Sequence, residues 1–254
     1  MTDLAALADR LDRAVVSARA TAQLPADAQI DAATAYEVQR LGIELREARG
    51  ERVIGVKMGL TSRAKMAQVG VDEVTWGRLT DAMRREEGGA LDHAPFIHPR
   101  AEPEIAFILK RGLSGEVSLA EAALALEAVA PAVEIIDSRY ENFKFSLGDV
   151  IADNSSSAAF FIGPASRPDT DLANLGIALS IDGAVREVGS SAAILGHPLR
   201  ALVAAARMTE RSGHALEAGD IVLAGAATAA VPLAPGMQVE VEVQSLGRVS
   251  FHVT

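Results

Sequence analysis

Apolar residues recur at helical spacing near the start of the chain. Leu4, Leu7, Leu11, Ala14, Val15 and Ala18 fall on one face, and Ala35, Val38, Leu41 and Leu45 repeat the pattern in a segment that starts at Asp31 and stops at Gly50. Residues 1–50 are therefore predicted to form an N-terminal helical lobe. From Val53 the period shortens. The runs Val53–Val56, Ile105–Leu109, Val133–Ile136, Ala158–Ile162, Ile177–Ile181, Ile221–Leu223, Val239–Val243 and Val249–Val253 read as strands. Helices are expected at Leu119–Val129 and Leu199–Glu210. Asp182-Gly183 is a two-residue hairpin signal, because glycine tolerates the positive φ such a turn needs. Val239, Val241 and Val243, then Val249, Phe251 and Val253, alternate with polar residues, the period of a half-buried antiparallel hairpin. Gly88-Gly89 and Gly163-Pro164 mark loops. Many short strands and few helices predict an α+β chain in which residues 51–254 form one β-rich catalytic domain with a closed or sandwich-like core.

Composition narrows the function. The chain has 254 residues, 49% of them hydrophobic, enough to bury a sizeable core. Its formal net charge of -10 leaves no basic stripe for a phosphate backbone, so no nucleic-acid partner is expected. It has no cysteine, which excludes disulfides, thiolate metal sites and cysteine nucleophiles. The opening Met1-Thr2-Asp3-Leu4 does not read as a signal peptide, and no run approaches the ~18–20 apolar residues of a membrane span. The expectation is a cytoplasmic protein with no membrane partner.

Chemistry concentrates in His98-Pro99-Arg100-Ala101-Glu102-Pro103-Glu104. In an extended chain Glu102 and Glu104 project to the same face, and like charges that close require a cation or a proton between them. Glu134 lies within Pro131-Ala132-Val133-Glu134-Ile135-Ile136, flanked by apolar residues, where a carboxylate needs a partner. Three carboxylates without cysteine describe an all-oxygen site suited to Mg²⁺ or Mn²⁺. The alternative is two surface acids and a Glu134 salt-bridged to an arginine; the apolar setting of Glu134 favours the metal. Lys57, in Gly55-Val56-Lys57-Met58-Gly59-Leu60-Thr61-Ser62, reads as a proton donor or electrostatic clamp whose pKa burial would lower, or as an edge-strand lysine that reaches water.

The stretches Gly55–Ser62, Pro99–Glu104, Val133–Arg139, Ala152–Ser157, Leu195–Pro198 and Gly225–Gly236, in this order, resemble the hydratase/decarboxylase family of meta-cleavage pathways, part of the fumarylacetoacetate hydrolase superfamily. The similarity runs from about Tyr36 to the end. It implies a mixed β-roll or barrel-like core with a helical N-terminal region. It also implies a divalent metal, Mg²⁺ or Mn²⁺, on Glu102, Glu104 and Glu134, and an active-site lysine at Lys57. Asn154 and Ser157 match positions near the family's substrate pocket, although a polar Asn-Ser-Ser-Ser run is also an ordinary turn. Arg139 could pair with a buried acid or with a substrate carboxylate. His197, before Pro198, is read as structural, capping the next helix. The resemblance further implies a homo-oligomer, and a complex with a companion hydratase that takes up an unstable dienol.

Hydratases of the family carry an acid just before an aromatic-glycine pair. In Val71-Asp72-Glu73-Val74-Thr75-Trp76-Gly77 that position holds Thr75, so no carboxylate is available there to activate water. The runs Met58–Met66, Asp137–Phe145 and Thr228–Val231 also look like the decarboxylase branch. The expectation is decarboxylation of a 2-oxo dicarboxylic acid from aromatic degradation, with hydration of a 2-hydroxydienoate as the runner-up. Hydrolytic cleavage of acylpyruvates would require a catalytic base, and no convincing His–Glu pair is visible. A non-enzyme alternative is an oligomeric protein whose carboxylates hold a structural cation, favoured by a closed site with no lysine in reach.

Overall fold

The computed structural model describes residues 3–62 and 74–254. Helix α1 spans Leu4–Ser17, where Asp3 accepts a hydrogen bond from the Ala6 N–H, and α2 spans Ala32–Ala48, where Asp31 accepts from Thr34. Both aspartates satisfy amide donors that the first helical turn leaves open. The buried stripes are Leu7, Ala8, Leu11 and Ala14 on α1, and Ala35, Val38, Gln39 and Ile43 on α2. They do not close on themselves alone. Leu7, Leu11 and Val38 share one apolar cluster with Tyr140, Ile151 and Ala152 from much later in the chain. Gln39 ties the helices down. Its amide donates to the carbonyls of Trp76 and Ile151, both at 3.0 Å, and its oxygen accepts from Arg78 at 2.8 Å.

The strands are β1 (Val53–Gly59), β2 (Thr75–Thr80), β3 (Arg84–Arg85), β4 (Ala90–Leu91), β5 (Arg100–Leu109), β6 (Leu126–Ile136), β7 (Ser157–Ile162), β8 (Gly176–Ile181), β9 (Ala184–Ser190), β10 (Ile221–Leu223), β11 (Val231–Pro232), β12 (Gln238–Val243) and β13 (Gly247–Val253). One mixed, curled sheet runs β2-β1-β10-β5-β6-β7-β3, with β11 added to β5; the second runs β4-β13-β12-β8-β9. β12 and β13 turn Val239, Val241, Val243, Val249 and Phe251 toward the larger sheet, where they meet Ile105, Phe107, Val133, Ile135 and Phe161. Phe161 and Phe251 stack with ring centroids 4.2 Å apart. The opposite face of the large sheet is buried as well, under Leu79, Met83, Ala106, Ala132 and Phe160. Because residues alternate between faces, Lys57, Glu102, Glu104 and Glu134 fall on this second face, with Ala106 and Ala132.

Most expected strands are present, several of them longer than their apolar runs. The hairpin at Asp182-Gly183 forms with φ of 54° and 76° at the two turn residues, the left-handed pair such a connection requires. The helix expected over Leu119–Val129 ends at Leu124, after a capping box of Ser118 and Glu121, and β6 begins at Leu126. Two forces override helical spacing here. Pro131 cannot donate within a helix and biases its predecessor toward extended backbone, and β5 supplies a complete ladder, pairing Phe107 with Val129 and Leu109 with Leu126. β2, whose Thr-Trp-Gly-Arg-Leu-Thr lacks alternation, was not anticipated, and all six of its residues are buried. The stretch Arg63–Glu73, which contains part of two quoted motifs, lies outside the described residues.

Candidate active site

The register of β5 on β6 sets the site. Glu102 stands directly across from Glu134, and Glu104 across from Ala132. One carboxylate oxygen from each of Glu102, Glu104 and Glu134 lies within 4.8 Å of the others, and all three side chains are buried. Opposed like charges destabilise a strand pair, so an arrangement like this requires a counter-charge. β1 supplies one. Lys57 Nζ is 2.9 Å from Glu134 Oε2 and donates to the Ser155 carbonyl at 2.9 Å. Among the described residues, this one ammonium faces three carboxylates inside a low-dielectric core.

Hydrogen bonds orient the acids and leave lone pairs over. Ser157 Oγ donates to Glu134 Oε1 at 2.8 Å, and the Gly225 N–H donates to Glu104 Oε2 at 2.8 Å. Among the described residues Glu104 Oε1 has no hydrogen-bond partner, and Glu134 Oε2 has the ion-pair contact with Lys57 without an aligned hydrogen bond. Burial, and then the charge of Glu134, push the Glu104 carboxyl well above the usual carboxylate range. Burial raises Glu134 too, against the pull of Lys57. The sequence suggests a Lys57 pKa lowered by burial, and burial is indeed the largest single influence on it. Glu134, Glu102 and Glu104 together outweigh that influence, so Lys57 is raised and stays an ammonium. Unused oxygens and an all-oxygen donor set fit a hard divalent cation.

The carboxylates do not form a closed shell. A cavity of about 410 Å³, within the range of small-molecule sites, is lined by Lys57, Thr75, Arg100, Glu102, Phe143 and Ser156, among others. Thr75 begins β2 opposite Gly59, where an added Cβ would come within 2.6 Å of the Thr75 hydroxyl. The turn that closes one side is strained. Asn154, Ser155 and Ser156 all hold left-handed backbone, with φ of 50°, 51° and 60°, a conformation that L residues visit at a cost. That turn aims the Ser155 carbonyl at Lys57.

Three of the residues the sequence suggested for substrate do not line this cavity. Asn154 pairs with the backbone of Arg78, accepting at 2.7 Å and donating at 2.9 Å, and so works as a strand neighbour of β2. Arg139 takes the first of its two alternatives, the buried acid. It ion-pairs with Asp153 through Nε, accepts no role toward the cavity, and donates to the Ser157 carbonyl at 3.2 Å. Ser157 reaches Glu134 and does not line the cavity wall. His197 Nδ1 accepts from the Leu199 N–H at 3.2 Å, at the start of the helix Leu199–Arg211, as a structural cap. Arg100 and Ser156 were not singled out from the sequence. The signal for Arg100 was present, since it precedes Glu102 by two residues on one strand.

Residues 69–254 match the family described as fumarylacetoacetate (FAA) hydrolase, C-terminal. The chain is 58% identical over 248 residues to a 4-oxalocrotonate decarboxylase of Pseudomonas sp, covering 98% of this chain and 97% of the relative. It is 40% identical over 232 residues to a 2-keto-4-pentenoate hydratase of Burkholderia vietnamiensis strain G4, covering 88% and 87%. The solved 4-oxalocrotonate decarboxylase from Pseudomonas putida G7, complexed with magnesium and adipate, superposes with a TM-score of 0.96 at 39% identity, over 100% of this chain and 99% of that one.

Proposed function

This chain belongs to the fumarylacetoacetate hydrolase family, and on that premise we propose that it decarboxylates 2-oxo-3-hexenedioate (4-oxalocrotonate) to 2-hydroxypenta-2,4-dienoate and CO₂. The observation that carries the proposal is the buried group of Glu102, Glu104 and Glu134 beside a cavity that Glu102 and Lys57 line, with Lys57 in contact with Glu134 and carboxylate oxygens left over. A structural cation site would be closed and would not need a lysine beside it.

Glu102, Glu104 and Glu134 would hold Mg²⁺ or Mn²⁺, and the P. putida G7 enzyme, solved with magnesium, supports the choice. When bound, such an ion supplies Lewis acidity toward the carboxylate and oxo oxygens of a 2-oxo acid. The substrate's distal carboxylate is vinylogous to a β-keto acid. As its C5–C6 bond breaks and CO₂ leaves, the electron pair forms the C4=C5 double bond, the C3=C4 pair moves to C2=C3, and the 2-oxo oxygen becomes negative. Lys57, held as an ammonium by its carboxylate neighbours, offsets that charge or delivers the proton that completes the dienol. Thr75 places an uncharged hydroxyl in the cavity where hydratases of the family carry an acid, which favours loss of CO₂ over addition of water. Hydration of the dienol is the second reading, supported by the hydratase relatives. A homo-oligomer, and a companion hydratase that receives the dienol, belong to this proposal.

The experiment is exhaustive chelation followed by assay and by titration with Mg²⁺ or Mn²⁺. Activity should vanish and return with the ion. Full activity in the metal-free protein would overturn the assignment of the three glutamates.

A further inference from the structure

Resting on the reading above, we infer that Arg100 selects substrates with a second carboxylate by pairing with the end of the molecule remote from the glutamates. Alternation along β5 puts Arg100, Glu102 and Glu104 on one face of the sheet, so the guanidinium stands on the side that faces the cavity. Two residues of strand rise place its backbone about 7 Å from that of Glu102. A six-carbon diacid spans a similar length, about 6 Å for five carbon–carbon bonds of about 1.5 Å.

Arg100 lines the cavity. It is half-buried and lies 4.1 Å from the centroid of the Phe143 ring, and among the described residues no carboxylate pairs with it. Lys57, the second cation lining the cavity among the described residues, is already engaged by Glu134. Other wall positions, Ile136, Phe145 and Val150, are apolar, and among the described residues the buried Ser156 hydroxyl has no hydrogen-bond partner. A guanidinium fork matches a carboxylate with two parallel hydrogen bonds. Stacking on Phe143 restricts the side chain beforehand, which lowers the entropy lost on binding.

Arg100 acts on binding and orientation. The carboxylate it would hold is the one that leaves, and its charge migrates toward the 2-oxo oxygen in the transition state. A cation at the distal end therefore stabilises the bound substrate at least as much as the transition state, and its removal falls on KM more than on kcat.

The test compares 2-oxoadipate with 2-oxohexanoate, which differ in the distal carboxylate alone, by calorimetry with Mg²⁺ present on the wild type, Arg100→Met and Arg100→Lys. Charge-assisted hydrogen bonds of ordinary strength predict that the wild type prefers the diacid by about 10- to 100-fold. Arg100→Met should lose that preference while keeping its affinity for 2-oxohexanoate and for Mg²⁺, Arg100→Lys should retain part of it, and KM for 2-oxo-3-hexenedioate should rise in Arg100→Met by more than kcat falls. A preference that is absent from the wild type, or undiminished in Arg100→Met, overturns the assignment. Binding is read without turnover, so this failure is distinct from failure of the wild type to release CO₂, which would overturn the functional reading instead.

Discussion

Lys57 is held between opposing influences, and each neighbour can be removed separately. Burial favours its neutral form, and Glu134, Glu102 and Glu104 favour the ammonium more strongly. Lys57→Ala should cut turnover by about 10²–10⁴-fold, the range of a group that moves a proton or balances charge at the reacting atoms. Mg²⁺ affinity, measured by calorimetry, should change far less, because the lysine is assigned to the substrate; a near-normal rate would make it structural. Glu134→Gln should lose both metal binding and activity while the protein stays folded by circular dichroism. At this scale the chemistry was legible where alternation or an apolar setting isolates a charge, as for Glu102, Glu104 and Glu134. It was not legible where the partner is far away in sequence. Nothing near Arg139 reveals that Asp153 occupies its guanidinium, and nothing near Asn154 reveals the backbone of Arg78.

Elements carry the site through register and close approach. β10 leads into Gly225, whose backbone φ of +100° points its N–H at Glu104 and brings its Cα against Thr61, where an added Cβ would meet the hydroxyl oxygen at 2.1 Å. Gly225→Ala should therefore cost about 1–3 kcal/mol in urea unfolding, from backbone strain and the displaced Thr61. It should also weaken Mg²⁺ binding, because the Gly225 hydrogen bond that orients Glu104 would be misdirected. Unchanged stability and metal affinity would remove Gly225 from the account. Element type was readable wherever one period persisted, as in α1, α2, β12 and β13. It failed at Leu126–Val129, where helical spacing yields to the ladder offered by β5, and at β2, where burial on both faces erases alternation.

For the whole molecule, the two sheets and the helices bury a cluster of carboxylates in an acidic chain, beside a cavity that Glu102 and Lys57 line. No helix among the described residues is long and apolar enough to cross a membrane. The β-rich architecture was expected from many short strands, while the pairing order of those strands has no local signature, since β1, β10 and β5 become neighbours from distant parts of the chain. Chelation of a 2-oxo acid serves decarboxylation and hydration alike, so three clustered glutamates suit either reaction. On the proposed reading, what separates the two reactions is the handling of water, with Thr75 standing in the cavity where the family resemblance implies an acid in hydratases. The most direct measurement supplies the Mg²⁺-loaded protein with 2-oxo-3-hexenedioate and, separately, with 2-hydroxypenta-2,4-dienoate, recording CO₂ from the first and 4-hydroxy-2-oxopentanoate from the second. The account predicts rapid CO₂ release and little or no hydration; dominant hydration with no CO₂ would contradict it.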